Sequence, residues 1–294
     1  AYIMSTLAEI KKLGYDVNKD GLTVQTNLNQ KVQDRAYAIG NTADYVNWKD
    51  DDMQVGMTVT DPNNGKVIAQ LGGRNLTALQ GTNRATNTLR SSGSNAKPIV
   101  DYGPAVENLG WSTNHLVLDT PYTYPGTNIQ PNDWDHKFMG SMTMRYALAQ
   151  SRNLPAIRTL QEVGYTKSSE FLKKLGIDIP ADKLVGSSAI GIDVSSEQLA
   201  AAYAAFANGG TYYKPQYISK VTEQSGVVKD YKAEGSTAMK SSTAFMITNM
   251  MKSVITDSYA KMINTNSDSQ AGKTGVVGYE DGADVPDGAA HDTW

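Results

Sequence analysis

Gly93-Ser94-Asn95-Ala96-Lys97-Pro98 is the stretch from which the rest of this chain can be read. A serine three residues before a lysine, with proline directly after, fits the opening of a helix. First-turn amides lack intrahelical acceptors, so proline is tolerated there. Lys97 then lies one turn on from Ser94, on the same face and near its hydroxyl. The positive end of a helix also suits an oxyanion forming at the serine. A serine hydroxyl is a weak nucleophile until a base takes its proton. Lysine can be that base only if burial or a nearby cation lowers its proton affinity.

Two motifs downstream complete the pattern: Ser151-Arg152-Asn153 and Lys273-Thr274-Gly275. Lys273 offers the cation that Lys97 needs. The three histidines, His115, His136 and His291, are scattered and none adjoins a serine motif, so a Ser-His-Asp arrangement has no support. Each motif alone is at chance level. Ser-x-x-Lys recurs at Ser258-Tyr259-Ala260-Lys261 and Ser-x-Asn at Ser112-Thr113-Asn114. Lys-Thr-Gly occurs once, against a chance of roughly one in ten at average composition. Order decides between the copies. Ser258 lies too near Lys273 to leave room for a helical lobe, and Ser112 directly follows the Ser94 helix and a Gly-Trp stop. Ser151 instead sits between a helix over about 141–150 and another begun by Pro155.

Outward from these motifs, the chain reads as α+β. Ile3, Leu7, Ile10 and Leu13 have helical spacing and Gly14 closes that helix. A strand over 22–26 and a helix over about 29–39 follow, so residues 1–50 read as a linker subdomain and 51–294 as the main domain. Strands over 55–60 and 66–71 flank Asp61-Pro62-Asn63-Asn64-Gly65, a hairpin turn. The stretch 94–206 reads as mostly helical, and alanine-rich 196–208 ends at Gly209-Gly210. Residues 212–228 suggest a second hairpin, 242–255 a helix, and the glycine-rich 271–294 further strands. Strands at both ends with helices between make an antiparallel sheet carrying a helical insertion.

Composition narrows the chemistry. The 294 residues hold no cysteine, which removes disulfides, thiolate catalysis and cysteine-based zinc sites. A formal charge of -3 with scattered Lys and Arg gives no nucleic-acid footprint. No stretch approaches the roughly 20 apolar residues of a membrane helix.

Ser-x-x-Lys, Ser-x-Asn and Lys-Thr-Gly, in that order, form a signature set of penicillin-binding proteins and class A β-lactamases. The chain resembles the transpeptidase domain of class A penicillin-binding proteins, notably the bifunctional enzymes of streptococci and related Gram-positive cocci. The box Gly93–Pro98, the linker-like Gly21-Leu22-Thr23-Val24-Gln25-Thr26, Tyr122-Thr123-Tyr124-Pro125-Gly126 and the run from Ala201 to Gly210 carry the resemblance. It implies the penicillin-binding/β-lactamase-like fold. By the same resemblance, Ser94 attacks a D-Ala-D-Ala stem peptide, Lys97 takes its proton and Ser151 relays a proton to the leaving D-Ala. Asn153 holds the substrate amide, Lys273 and Thr274 grip the terminal carboxylate, and Gly275, Val276 and Trp134 line the substrate. The N–H groups of Ser94 and Val276 form the oxyanion hole. An amine of a neighbouring stem peptide resolves the acyl-enzyme, and β-lactams acylate Ser94. No metal or organic cofactor is implied. The full-length protein is expected at the outer face of the cell membrane, with this portion soluble.

The chain departs from that family in three ways. Val276 stands where a hydroxyl residue usually follows Lys-Thr-Gly, which removes one hydrogen bond to a bound carboxylate. The acidic glycosyltransferase motifs are absent. The chain ends at Ala290-His291-Asp292-Thr293-Trp294, where the family enters its next sheet strand, so a second polypeptide fragment is expected to complete the domain. A β-lactamase on this fold needs a carboxylate for deacylation, typically Glu-x-x-Leu-Asn, and none is found. A non-catalytic β-lactam sensor would bind drug but turn over no peptide, and a structural domain with a degenerate site would do neither.

Overall fold

The computed structural model describes residues 1–76, 81–265, 269–279, 285 and 289–294. They divide into two compact units, Ala1–Leu89 with Val194–Ser236, and Arg90–Asp193 with Thr237–Trp294. Residues 1–50, read above as a linker subdomain, fall in the first unit together with 51–89 and 194–236.

In the first unit, the helix Tyr2–Lys12 buries Tyr2, Thr6 and Ile10, while Ile3 and Leu7 are exposed. The expected stripe is therefore turned by one residue. Tyr2 causes this: its ring meets Tyr217 edge-on at 5.1 Å and its hydroxyl donates to Val67 O at 2.7 Å. Burying a tyrosine with its hydroxyl satisfied outweighs burying Ile3. Strand Thr23–Thr26 pairs antiparallel with Ile218–Thr222, which pairs on its other side with Val228–Asp230. The stretch 212–228 is thus not one hairpin, because Pro215 has no N–H for a ladder and breaks it. Thr211–Tyr213 pairs instead with Gly235–Thr237. The hairpin Met57–Thr60 with Val67–Leu71 forms as expected, Met57 opposite Leu71. Helix Gln30–Asn41 is capped by Asn29, and helix Ser196–Ala207 by a reciprocal Ser195/Gln198 box.

The second unit carries all the motif residues. Leu116–Asp119 pairs antiparallel with Gly140–Thr143, so residues 141–143 are strand rather than the start of a helix. Thr143 sets that boundary: its side chain accepts from Tyr146 N and caps the helix Met144–Ala149. A short turn leads to helix Asn153–Val163, whose Pro155 sits in the first turn. Helix Ser241–Asp257 is tied to Met144–Ala149 through Arg145, which donates to Asn249 O and Oδ1 at 2.9 and 2.7 Å. Ile99, Tyr102, Met144, Leu148, Leu154 and Ile157 form the buried centre. Strand Val276–Gly278 pairs antiparallel with Ala290–Thr293. Among the described residues no helix is long and apolar enough to cross a membrane.

Candidate active site

Ser94 does not open a regular α-helix. Gly93–Ala96 is a 3-10 turn, Pro98–Tyr102 a π-helical turn, and only then does the α-helix Gly103–Leu109 begin. Pro98 lacks the N–H that would close on Ser94 O, so Lys97 N donates to Ser94 O and Gly103 N reaches back to Pro98 O. The result still places Lys97 one turn beyond Ser94. Ser94 is half-buried, and among the described residues its hydroxyl makes no hydrogen bond; Lys97 is fully buried.

Three acceptors surround the Lys97 amine. Nζ donates to Ser151 O at 2.6 Å, lies 2.8 Å from Asn153 Oδ1, and is 3.4 Å from Ser151 Oγ. Asn153 keeps its oxygen toward the lysine because its Nδ2 donates to Asn132 O at 2.9 Å. Lys273 Nζ donates to Ser151 Oγ and to Thr274 O, each at 2.8 Å. Ser151 Oγ therefore stands between two amines. Burial pushes Lys97 down to about 7, against the pull of Asp101 and Asp133 and with the help of Arg152. Lys273 is held well below its ordinary value by burial and then by Lys97. Burial, not the expected Lys273 cation, is thus what makes Lys97 a candidate base.

Lys273-Thr274-Gly275 leads into the strand Val276–Gly278. Gly275 and Trp294 exchange both backbone bonds, at 3.1 and 2.8 Å, so they form a hydrogen-bonded pair. Val276, opposite Thr293, then falls at a non-hydrogen-bonded position, where N–H and C=O point away from the partner strand. They point toward Gly93: a Cβ there would lie 2.9 Å from Val276 N and 2.8 Å from Val276 O. A Cβ on Gly275 would lie 2.2 Å from Ser92 O. Two glycines thus let the Ser94 turn and the strand cross backbone to backbone. Trp294 Nε1 also donates to Ser91 O at 2.8 Å. Thr274 is half-buried, and the Val276 side chain is exposed.

Behind Ser151 lies a layer that the motifs alone did not reveal. Ser151 has φ +54°, a left-handed conformation uncommon for a residue with a side chain. Arg152 is buried and gripped by three carboxylates, Asp119 at 2.8 Å, Asp133 at 3.3 Å and Asp135 at 2.9 Å. Asp133 also accepts from Asn153 N. Exposed Trp134 donates from Nε1 to Gln150 O at 3.1 Å, at the same turn. Asp101, four residues after Lys97, is fully buried, and burial holds its carboxyl well above its usual range. The spacing Asp133-Trp134-Asp135 was the only sign of this layer in the sequence, since Asp119 and Arg152 are 33 residues apart.

The rival motif copies take structural positions. Ser258 is buried, donates to Val254 O at 2.6 Å and caps Ala260 N. Trp111 and His115 stack at 3.6 Å on either side of Ser112-Thr113-Asn114.

A family model, described as penicillin binding protein transpeptidase domain, matches residues 55–284. The chain is 44% identical, over 96% of its length, to penicillin-binding protein 1A of Streptococcus pneumoniae, of which it covers 41%. Against penicillin-binding protein 1A/1B of Bacillus subtilis the identity is 36% over all of this chain and 33% of that one. Among solved structures, penicillin-binding protein 1A from Haemophilus influenzae is 25% identical, with TM-score 0.66 over 76% of this chain and 40% of that chain. Penicillin-binding protein PonA1 from Mycobacterium tuberculosis reaches TM-score 0.84 over 95% of this chain and 76% of that chain; at 22% identity the likeness is one of fold. The chain spans less than half the length of the curated relatives named here.

Proposed function

Because the chain belongs to the penicillin-binding protein transpeptidase family, we propose that it is the serine D,D-transpeptidase portion of a peptidoglycan cross-linking enzyme. Ser94 Oγ attacks the carbonyl of the penultimate D-Ala of a stem peptide while Lys97 Nζ takes its proton. The oxyanion of the tetrahedral intermediate accepts from Ser94 N–H and Val276 N–H. Collapse breaks the C–N bond, and Ser151 Oγ passes a proton to the departing D-Ala amine, drawing on Lys97. Asn153 and Trp134 border the substrate, and Lys273, Thr274 and Gly275 face its terminal carboxylate. An amine of a second stem peptide then attacks the ester, forms the cross-link and frees Ser94. β-Lactams acylate the same hydroxyl. Such a substrate would put the site on the outer face of the cell membrane, with residues 1–50 as a linker.

The observation that carries this reading is the Ser151 hydroxyl bridged between two lysine amines, 2.8 Å from Lys273 and 3.4 Å from Lys97. One hydroxyl between two lysines can move a proton both toward and away from a reacting centre. Incubation with a D-Ala-D-Ala stem peptide and an amine acceptor should yield cross-linked product and free D-Ala. Release of D-Ala with water as the sole acceptor, or rapid loss of a penicillin adduct, would point to a hydrolase instead.

A further inference from the structure

Three carboxylates close on one guanidinium at Arg152, and two of them are buried: Asp119 is 0% and Asp133 2% exposed. Asp119 Oδ2 accepts from Arg152 Nε at 2.8 Å and Met139 N at 3.1 Å. Asp133 Oδ1 accepts from Asn153 N. Arg152 also donates from Nη1 to Asp135 at 2.9 Å and from Nη2 to Lys137 O at 2.5 Å. Asp119 Oδ1 and Asp133 Oδ2 are left with no hydrogen-bond partner among the described residues, Asp133 Oδ2 keeping only its ion pair with Arg152 at 3.3 Å. Two buried carboxylates beside a single shared cation leave an excess of negative charge, and like-charged neighbours resolve that by keeping a proton.

We propose that Asp119 and Asp133 share one proton between those two oxygens, and that this pair is the positioning device of the Ser151 turn. Asp133 fixes the turn at Asn153 N, and Asp119 fixes it through Arg152. These anchors, on the two residues that follow it, hold Ser151 at φ +54°, with its carbonyl and hydroxyl on Lys97. Neither carboxyl touches substrate; both act through Ser151 and Asn153. The charged and titratable groups around the pair are Arg152, Asp135, Lys97 and Tyr102. Burial and the neighbouring Asp119 raise Asp133 from 3.8 to about 6, with Arg152 and Asn153 N opposing. The folded chain therefore binds this proton before the unfolded chain does. Between about 4 and 6, acidification should stabilise the fold through this pair, opposite to an ordinary ion-paired aspartate.

The test uses the intact protein and four variants, D119N, D133N, D119A and D133A, with unfolding midpoints followed from pH 4 to 7. As the pH falls from about 6 to 4, wild type should gain stability relative to both asparagine variants. Acylation by a chromogenic cephalosporin should drop about tenfold to a hundredfold in the alanine variants, a displaced turn being costly. The amides, which mimic a protonated carboxyl, should restore most of that rate. Wild type losing stability relative to D133N on acidification overturns the proposal, as do folded amide variants no more active than the alanines. If a variant does not fold, carbon-13 titration of labelled aspartates in wild type decides: Asp133 titrating near 6 is expected, and Asp133 at its ordinary value overturns the proposal. The rate arm rests on the acyl-enzyme reading. A wild type that is never acylated would sink that reading while leaving the stability arm to judge the pair.

Discussion

Burial pulls Lys97 down to about 7, and the sign of the pH dependence expected of it as a base follows. As a base it must be unprotonated, so acylation should fall as pH drops below about 7, by about tenfold per unit once well below it. A rate flat from pH 5 to 9 would remove Lys97 from the mechanism. Between about 7 and 10.5 the unfolded chain holds a proton that folded Lys97 lacks, so this residue adds stability as pH rises through that window. Lys97→Arg should abolish acylation at every pH, because a guanidinium does not release its proton in a protein. Val276 is a second residue with a definite expectation. Its exposed side chain offers no hydroxyl to a carboxylate, and a hydrogen bond to a charged group contributes about 1.5–3 kcal/mol. Val276→Thr should raise the acylation rate constant of carboxylate-bearing β-lactams about tenfold or more. No gain would mean that this contact is not used. That Lys97, Ser151 and Lys273 meet was legible from motif order alone. The cause of the low proton affinity was not, since burial depends on packing that no short motif encodes.

At the scale of elements, the proposed oxyanion site depends on the close crossing between the Ser94 turn and the strand Val276–Gly278. Gly275 is required there by space, since its Cβ would meet Ser92 O at 2.2 Å. Gly278, in the same strand, has nothing within 4 Å of its Cβ position. Gly275→Ala should lose about 1–3 kcal/mol of stability through overpacking and most of its acylation. Gly278→Ala should do neither, as read by thermal melts and penicillin labelling; equal behaviour of the two would show that the crossing is looser than described. Periodicity and glycine content pointed to the strand and its approach, but they placed Ser94 at the start of an ordinary helix. Pro98 explains the difference: removing one N–H converts the entry into a 3-10 turn followed by a π-helical one. The strand Gly140–Thr143 was missed for a related reason. Its few residues lead directly into a helix, and only the Thr143 cap marks where one ends.

Across the whole molecule, alternation and turn residues were enough to predict α+β and the hairpin Met57–Leu71. They did not show how the chain divides, because residues 194–236 return to pack with 1–89 and local periodicity carries no record of such a return. The acidic layer behind Ser151 was hidden likewise, its members brought together from a strand's end and a loop. The central claim is nonetheless local: of all the hydroxyls in the chain, Ser94 is the one that becomes an ester. Ser258 carries the same Ser-x-x-Lys spacing but spends its hydroxyl on Val254 O at 2.6 Å, so the two serines make a matched pair. The most direct measurement is intact mass after incubation with benzylpenicillin, followed by peptide mapping. Wild type and Ser258→Ala should each gain one drug molecule, mapped to Ser94, and Ser94→Ala should gain none. An adduct that persists in Ser94→Ala, or that maps to any other residue, would contradict the account.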